Sequence, residues 1–499
     1  MLFNSLGFLL FLPVVVSVYY FIPSKVKQIW LLIASYFFYM CWNVKYALLL
    51  LASTSVTYIS AIMMGSVRGN KTLSIQKKMI IKRFITGIGI IINLMILIFF
   101  KYANFIIDSL NTILNHINIK IITTRVDVLL PVGISFYTFQ ALGYLIDVYR
   151  EEILEEKNFI NFALFVSFFP QLVAGPIERS KNLLSQLSVH HSFDFDKFRD
   201  GLLLMIWGFF LKLVLADRIA LFVDTVYGDI ETYPGWYLII ATVLFAVQIY
   251  CDFSGYSVIA MGTAEMLGIK LMDNFNSPYL SLSVSEFWSR WHISLSSWFR
   301  DYLYIPLGGN RKGKFRKHLN RFIVFLVSGL WHGANYTFII WGGLNGLYQS
   351  IGEGLQPIRD WFVGKLQINR NTFGHKMLCA ISTFFLICIS WVFFRSNSIK
   401  EAIEILHSMI SVHNPWILIN GGLLRCGLDY NQFVVLIIGI QILIFADIVK
   451  HRGYKIRKWI VEQNYWFRCI LIAVSIVLIL TFGMYGADYD AAGFIYFQF

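Results

Sequence analysis

Charge is scarce in this sequence. Only 14% of its 499 residues are Asp, Glu, Lys or Arg, against about 25% in an ordinary soluble domain. Acids are scarcer than bases, 29 against 42, leaving a net charge of +13. Cysteine is sparse too: Cys41, Cys251, Cys379, Cys388, Cys426 and Cys469 are scattered and form no C-x-x-C pair. That spacing excludes a disulfide framework and a zinc site, and reads as small buried hydrophobes. With so few polar residues the chain cannot cover itself in water, which excludes a soluble globular enzyme and a disordered binder.

What fills the sequence is apolar. Hydrophobic residues make up 57% and aromatics 17%, with 45 Phe, 26 Tyr and 14 Trp. Long apolar runs, rather than the short alternating segments of a β-barrel, predict an all-α polytopic membrane protein with roughly 11–13 membrane-embedded helices. The runs cover 3–22, 28–42, 45–65, 84–103, 128–148, 201–223, 235–252, 322–350 (a broken pair), 377–394, 431–449 and 466–485. Shorter aromatic pieces at 159–177, 253–270 and 283–303 read as partly re-entrant or interfacial. No repeat or low-complexity linker interrupts them, so 1–485 reads as one transmembrane domain and 486–499 as a tail. The first run lacks a basic leader region and reads as a retained span.

The cations cluster in short loops, where topology explains them better than nucleic acid does. The stretches 66–83, 307–321 and 450–458 are basic; the first two contain no acid. The positive-inside rule puts them in the cytoplasm and both chain termini outside; low Ala and high Ile, Lys and Asn suggest a bacterium, so the expected location is a bacterial cytoplasmic (inner) membrane.

Polar residues inside apolar runs are costly and usually functional. Of ten His, eight fall in loops or segment ends. His332 lies eleven residues beyond Arg321, about 16 Å along a helix, near the middle of a ~30 Å hydrocarbon core. A proton-accepting role and a structural role bonded to a nearby carbonyl stand equal at this point. Gly329, Gly333, Gly342, Gly343 and Gly346 around it argue for close helix packing or backbone approach to a ligand. His292 lies beside Trp288, Trp291, Leu295 and Trp298, which form one stripe on a helix and suggest an interfacial amphipathic helix with His292 facing headgroups. Asp252, Ser254 and Tyr256, the Gly175-Pro176 break beside Glu178 and Arg179, and Pro131, Gly133, Tyr137 and Gln140 add scattered polar groups. Together they suggest a polar cavity in an apolar shell.

Several strings resemble the membrane-bound O-acyltransferase family, in particular the bacterial branch of alginate and peptidoglycan O-acetyltransferase subunits. They are Asp252-Phe-Ser-Gly-Tyr-Ser257, Asn274-Phe-Asn-Ser-Pro-Tyr279, Glu286-Phe-Trp-Ser-Arg-Trp-His-Ile-Ser-Leu-Ser-Ser-Trp298, Arg300-Asp-Tyr-Leu-Tyr-Ile-Pro-Leu-Gly-Gly-Asn310 and Gly329-Leu-Trp-His-Gly333. Pro131-Val-Gly-Ile-Ser-Phe-Tyr-Thr-Phe139, Ala174-Gly-Pro-Ile-Glu178 and the tail Phe494-Ile-Tyr-Phe-Gln-Phe499 match as well. One departure is Val258, where acetyltransferase members often carry an acid; it resembles the D-alanyl-transferring branch.

The resemblance implies tilted helices around a central funnel, His332 as catalytic base and His292 as a second channel histidine. It implies a thioester donor, acetyl-CoA or an acyl-carrier-protein thioester, with no bound cofactor and no metal. Trp331, Asn335, Asp252, Tyr256 and Trp288 are channel or oxyanion candidates. Arg311, Lys312, Lys314 and Arg316 suit the phosphates of coenzyme A or an acidic carrier protein on the cytoplasmic side, or serve only as a topology signal. Tyr496 is a candidate acyl carrier that hands the group to an extracellular SGNH-hydrolase-like acyltransferase acting on a polysaccharide. The aromatic tail equally suits a membrane anchor. The implied partners are thus the lipid bilayer, the thioester donor, that transferase and a polysaccharide, with no nucleic acid. The implied activity is O-acetylation of a wall or exported polysaccharide; D-alanyl transfer to teichoic acid is the alternative. A polysaccharide or lipid transporter, or a scaffold subunit, is the alternative from another class.

Overall fold

The computed structural model describes residues 1–117, 124–127, 129–173, 175–486 and Ile495. Among them every regular element is helical. Six helices are long and apolar enough to cross a membrane: Val44–Gly69, Ile75–His116, Trp236–Met266, Phe373–Arg395, Tyr430–His451 and Tyr465–Phe482. The chain is a multi-pass membrane protein. Its described residues cluster in two compact units, Met1–Leu202 with Ala260–Met272, and Leu203–Ile259 with Asp273–Phe499.

The first unit is organised around the helix Ile134–Tyr149, which is buried on nearly every side. Gly133 starts it at φ 75°, a left-handed conformation that a side chain resists. Helices Val44–Gly69 and Ile75–Leu97 pack on it and on each other. Between those two, Ser53 donates to Asn93 Oδ1 (2.6 Å), and the Asn93 amide donates to the Gly89 carbonyl (2.8 Å). Buried polar groups in an apolar helix pair are thus satisfied internally. At the Gly175–Pro176 break, Glu178 accepts from the Met272 amide N–H and from Asn182 (2.7 Å). Burial there pushes its carboxyl above the usual range.

In the second unit, the helix Phe195–Phe209, which enters from the first, widens into a π-helical turn at Phe210–Ala216 and continues as Asp217–Gly228. Gly208 and Gly255 let this helix lie against Trp236–Met266, since a Cβ on Gly208 would fall 2.8 Å from the Gly255 carbonyl oxygen. The hairpin of Gly313–His332 and Tyr336–Gly354 follows, then Phe373–Arg395. Tyr465–Phe482 leaves Trp466, Ile470, Val474 and Val477 exposed, an apolar face suited to lipid.

Four expectations change. The runs 235–252 and 253–270 are largely one helix, Trp236–Met266, because Lys212 neutralises Asp252 in mid-helix and no proline interrupts it. The run 84–103 belongs to a longer helix, Ile75–His116. The segment 283–303 is no interfacial stripe. It breaks into Val284–Arg290 and Ile293–Phe299, and Trp288, Trp291, Leu295 and Trp298 are all buried. Among the cysteines, Cys251, Cys388 and Cys426 are buried, but Cys41 and Cys469 are exposed rather than buried, on outward-facing positions.

Candidate active site

The hairpin sets His332 in place. Glycines let its two helices touch at backbone distance. A Cβ on Gly329 would overlap the Phe338 carbonyl, and one on Gly342 would overlap the Phe325 carbonyl. The close-packing reading of these glycines therefore holds. His332 is the last residue of the first helix, and the Gly333 N–H closes its final turn on the Gly329 carbonyl (3.3 Å). Asn335 caps the second helix, its Oδ1 accepting from the Thr337 N–H (3.1 Å), and its amide donates to the Asn397 carbonyl (2.9 Å). Both ends of the Asn335 side chain are thereby committed to the backbone.

His332 is 3% exposed. It meets three aromatic rings nearly edge-on: Trp331 and Trp341 at 4.9 Å and Phe394 at 5.5 Å between centroids. Trp391 stacks on Trp341 at 5.8 Å. Trp288 packs against Trp341 at 5.5 Å and donates its indole N–H to Asn345 (3.0 Å). The Trp341 indole N–H is buried with no acceptor among the described residues. It is a donor beside His332 that the sequence reading did not single out, because Trp341 there looks like one more core aromatic.

His292 sits at the break between two short helices, with φ 43° and no exposed surface. A left-handed backbone is costly for a non-glycine residue and persists only where its surroundings enforce it. Asn274 enforces it. Its carbonyl accepts from the Ile293 N–H (3.0 Å), and its side-chain oxygen lies 3.0 Å from His292 Nδ1 and 2.9 Å from Ser294 Oγ. A carboxamide oxygen accepts only, so Nδ1 carries the proton and Nε2 is left as the basic nitrogen. The His292 ring packs on Phe253 at 4.6 Å and on Trp331 at 5.9 Å. Trp331 is therefore shared: both histidines lie against it.

Asp252 and Tyr256 belong to a separate polar cluster of the same unit. Lys212, in the π-helical turn, donates to Asp252 (2.7 Å) and pairs with Asp217 (2.8 Å). Its ammonium lies 5.6 Å from the Tyr256 ring centroid. The other Asp252 oxygen accepts the backbone N–H of Ile495 (2.8 Å). Lys212 escaped the sequence reading, because a single lysine in an apolar run announces no partner forty residues away.

Arg311, Lys312, Lys314 and Arg316 are exposed at the opposite end of the helix that carries His332. From Arg316 to His332 is about 24 Å at 1.5 Å per residue. Next to them Lys317 and Arg321 (2.9 Å) both pair with Glu353. Tyr496 and Ala174 lie outside the described residues.

A model of the membrane-bound O-acyltransferase family matches residues 18–394. The chain belongs to that family. The probable alginate O-acetylase AlgI of Pseudomonas aeruginosa is 40% identical over 415 residues, 82% of this chain and 75% of the relative. The peptidoglycan O-acetyltransferase of Helicobacter pylori is 34% identical over 446 residues, 83% of this chain and 80% of the relative. The teichoic acid D-alanyltransferase of Streptococcus thermophilus is 30% identical over 266 residues, 48% of this chain and 59% of the relative. Family membership makes the protein an acyltransferase and decides against the transporter and scaffold readings. His292, Trp331, His332 and Trp341 all fall inside the matched region of this O-acyltransferase.

Proposed function

We propose that this acyltransferase moves an acetyl group from a cytoplasmic thioester, acetyl-CoA or an acyl-carrier-protein thioester, toward a polysaccharide on the far side of the membrane. The observation that carries the reading is one helix with two ends: exposed cations at Arg311–Arg316 and a buried, aromatic-walled histidine at His332. The cations attract an anionic donor. The aromatic wall keeps water from a reactive thioester. His332 takes the proton of an acceptor hydroxyl as its oxygen bonds to the thioester carbonyl carbon. The carbon–sulfur bond then breaks, and the thiolate leaves with the proton from His332. Trp331 and Trp341 supply indole N–H groups beside the developing oxyanion. His292 orients the acceptor through Nε2. Tyr496 is the first acceptor hydroxyl and passes the acetyl group to an extracellular transferase.

Acetyl is preferred because relatives covering most of this chain are named for O-acetylation. D-alanyl transfer is the second reading, favoured by Val258 and by the teichoic acid D-alanyltransferase likeness. The test uses purified protein in lipid nanodiscs. Thiol release from acetyl-CoA is measured beside a D-alanyl carrier-protein thioester, with Tyr496→Phe as control. Release from acetyl-CoA, lost in His332→Ala, is the expected result. Release from the D-alanyl thioester alone would move the assignment to the second reading. Undiminished polymer acetylation in cells carrying Tyr496→Phe would remove the tyrosine step.

A further inference from the structure

We propose that Asp252, held by Lys212, is a latch for this chain at Ile495: its second carboxylate oxygen binds the Ile495 backbone N–H and anchors the chain at that residue. Lys212, Asp217 and Asp252 bring one ammonium and two carboxylates together, with Lys212 and Asp252 buried and Asp217 only slightly exposed. A buried ion pair contributes little net stability, and intramembrane ions are seldom kept without a use. Asp217 already neutralises Lys212 at 2.8 Å, so Asp252 is a surplus acceptor on a span that would be simpler without it. The donor it receives comes from 243 positions along the chain, with the Ile495 side chain buried beside it.

A second tether acts at the end of the last span. The Met484 N–H donates to the Leu213 carbonyl (2.9 Å), and Arg218 donates to the Phe482 carbonyl (2.6 Å). The π-helical turn that carries Lys212 thus holds the chain where it leaves its last span, and Asp252 holds it again at Ile495. Wide turns of this kind often mark functional positions in helices. Asp252 is a positioning residue here, because it touches a backbone group rather than a reacting atom. Its role in transfer rests on the reading given above, in which the residue after Ile495 carries the acyl group; the latch itself does not.

Hydrogen–deuterium exchange of the peptide 486–499 tests it, in full-length protein in nanodiscs. Ile495→Pro deletes the donor from the tail side and leaves the buried ion cluster untouched. Ile495→Ala keeps the donor. Asp252→Leu deletes the acceptor while Asp217 still neutralises Lys212. The expected result is slow uptake in wild type and Ile495→Ala, and uptake faster by at least about tenfold in Ile495→Pro and Asp252→Leu. Transfer by Ile495→Pro would fall in kcat with the donor KM unchanged. Wild-type uptake as fast as that of the free peptide, or equal slow uptake in all four proteins, would overturn the latch. A protected tail that never carries an acyl group would leave the latch standing and remove the shuttle instead.

Discussion

At one end of the Gly313–Gly354 hairpin, Lys317 and Arg321 hold Glu353 in a partly solvated ion pair beside four exposed cations. At the other, His332 is closed in by Trp331, Trp341 and Phe394. Helix energetics alone would not arrange the first end this way. Cations in the first turn oppose the helix dipole, at a cost of a few tenths of a kcal/mol to about 1 kcal/mol each. The basic end is organised for what lies outside the helix. The aromatic end is organised for what must be kept from water. A single stiff element, joined by glycine contacts, links the two.

The largest effect is expected at the aromatic end. His332→Ala is expected to lower acyl transfer by about 10²–10⁴-fold, read as thiol release. A loss below threefold would remove His332 from the chemistry. Next comes the joint. Gly329→Val drives a side chain into the Phe338 carbonyl, and is expected to destabilise by about 1–3 kcal/mol or more. A lowered melting temperature and poorer recovery from detergent would report it, and an unchanged melt would contradict the packing account.

At the basic end effects are smaller and of a different kind. Replacing Arg311, Lys312, Lys314 and Arg316 by Gln is expected to raise the donor KM about tenfold at low salt and to flatten its salt dependence, with kcat nearly kept. An unchanged KM would make those cations a topology signal only. The smallest effect is that of Glu353. Hydrogen bonding to Lys317 and then Arg321 lowers its carboxyl from the usual 4.5 to about 2. Its stabilisation is complete above the usual value and fades as pH falls through the folded value. Solvent screening keeps it below about 1 kcal/mol. Melting of wild type and Glu353→Gln should therefore differ near neutral pH and converge as pH falls from 4.5 toward 2.

Much of the hairpin was legible in the sequence. A histidine eleven residues past Arg321, amid glycines, encodes burial and close packing through local spacing alone. The break at Trp291–His292 was not legible, because Ser-Arg-Trp-His-Ile-Ser contains no glycine or proline to announce it. It depends on Asn274, whose carboxamide reaches His292 only in the folded chain. The same holds for Trp391 and Phe394, which meet Trp341 from a later helix, and for Lys212 with Asp252. Local periodicity records which face is apolar. It does not record which distant residue completes a site.

In the proposed function His332 drives transfer of an acyl group onto Tyr496. The most direct measurement is intact mass spectrometry of the C-terminal peptide containing Tyr496, from cells lacking the downstream extracellular transferase, in wild type and His332→Ala. An acetyl adduct on Tyr496 in wild type and none in the variant is the expected result. An unmodified Tyr496 in wild type that still consumes acetyl-CoA, or an adduct that persists in His332→Ala, would contradict it.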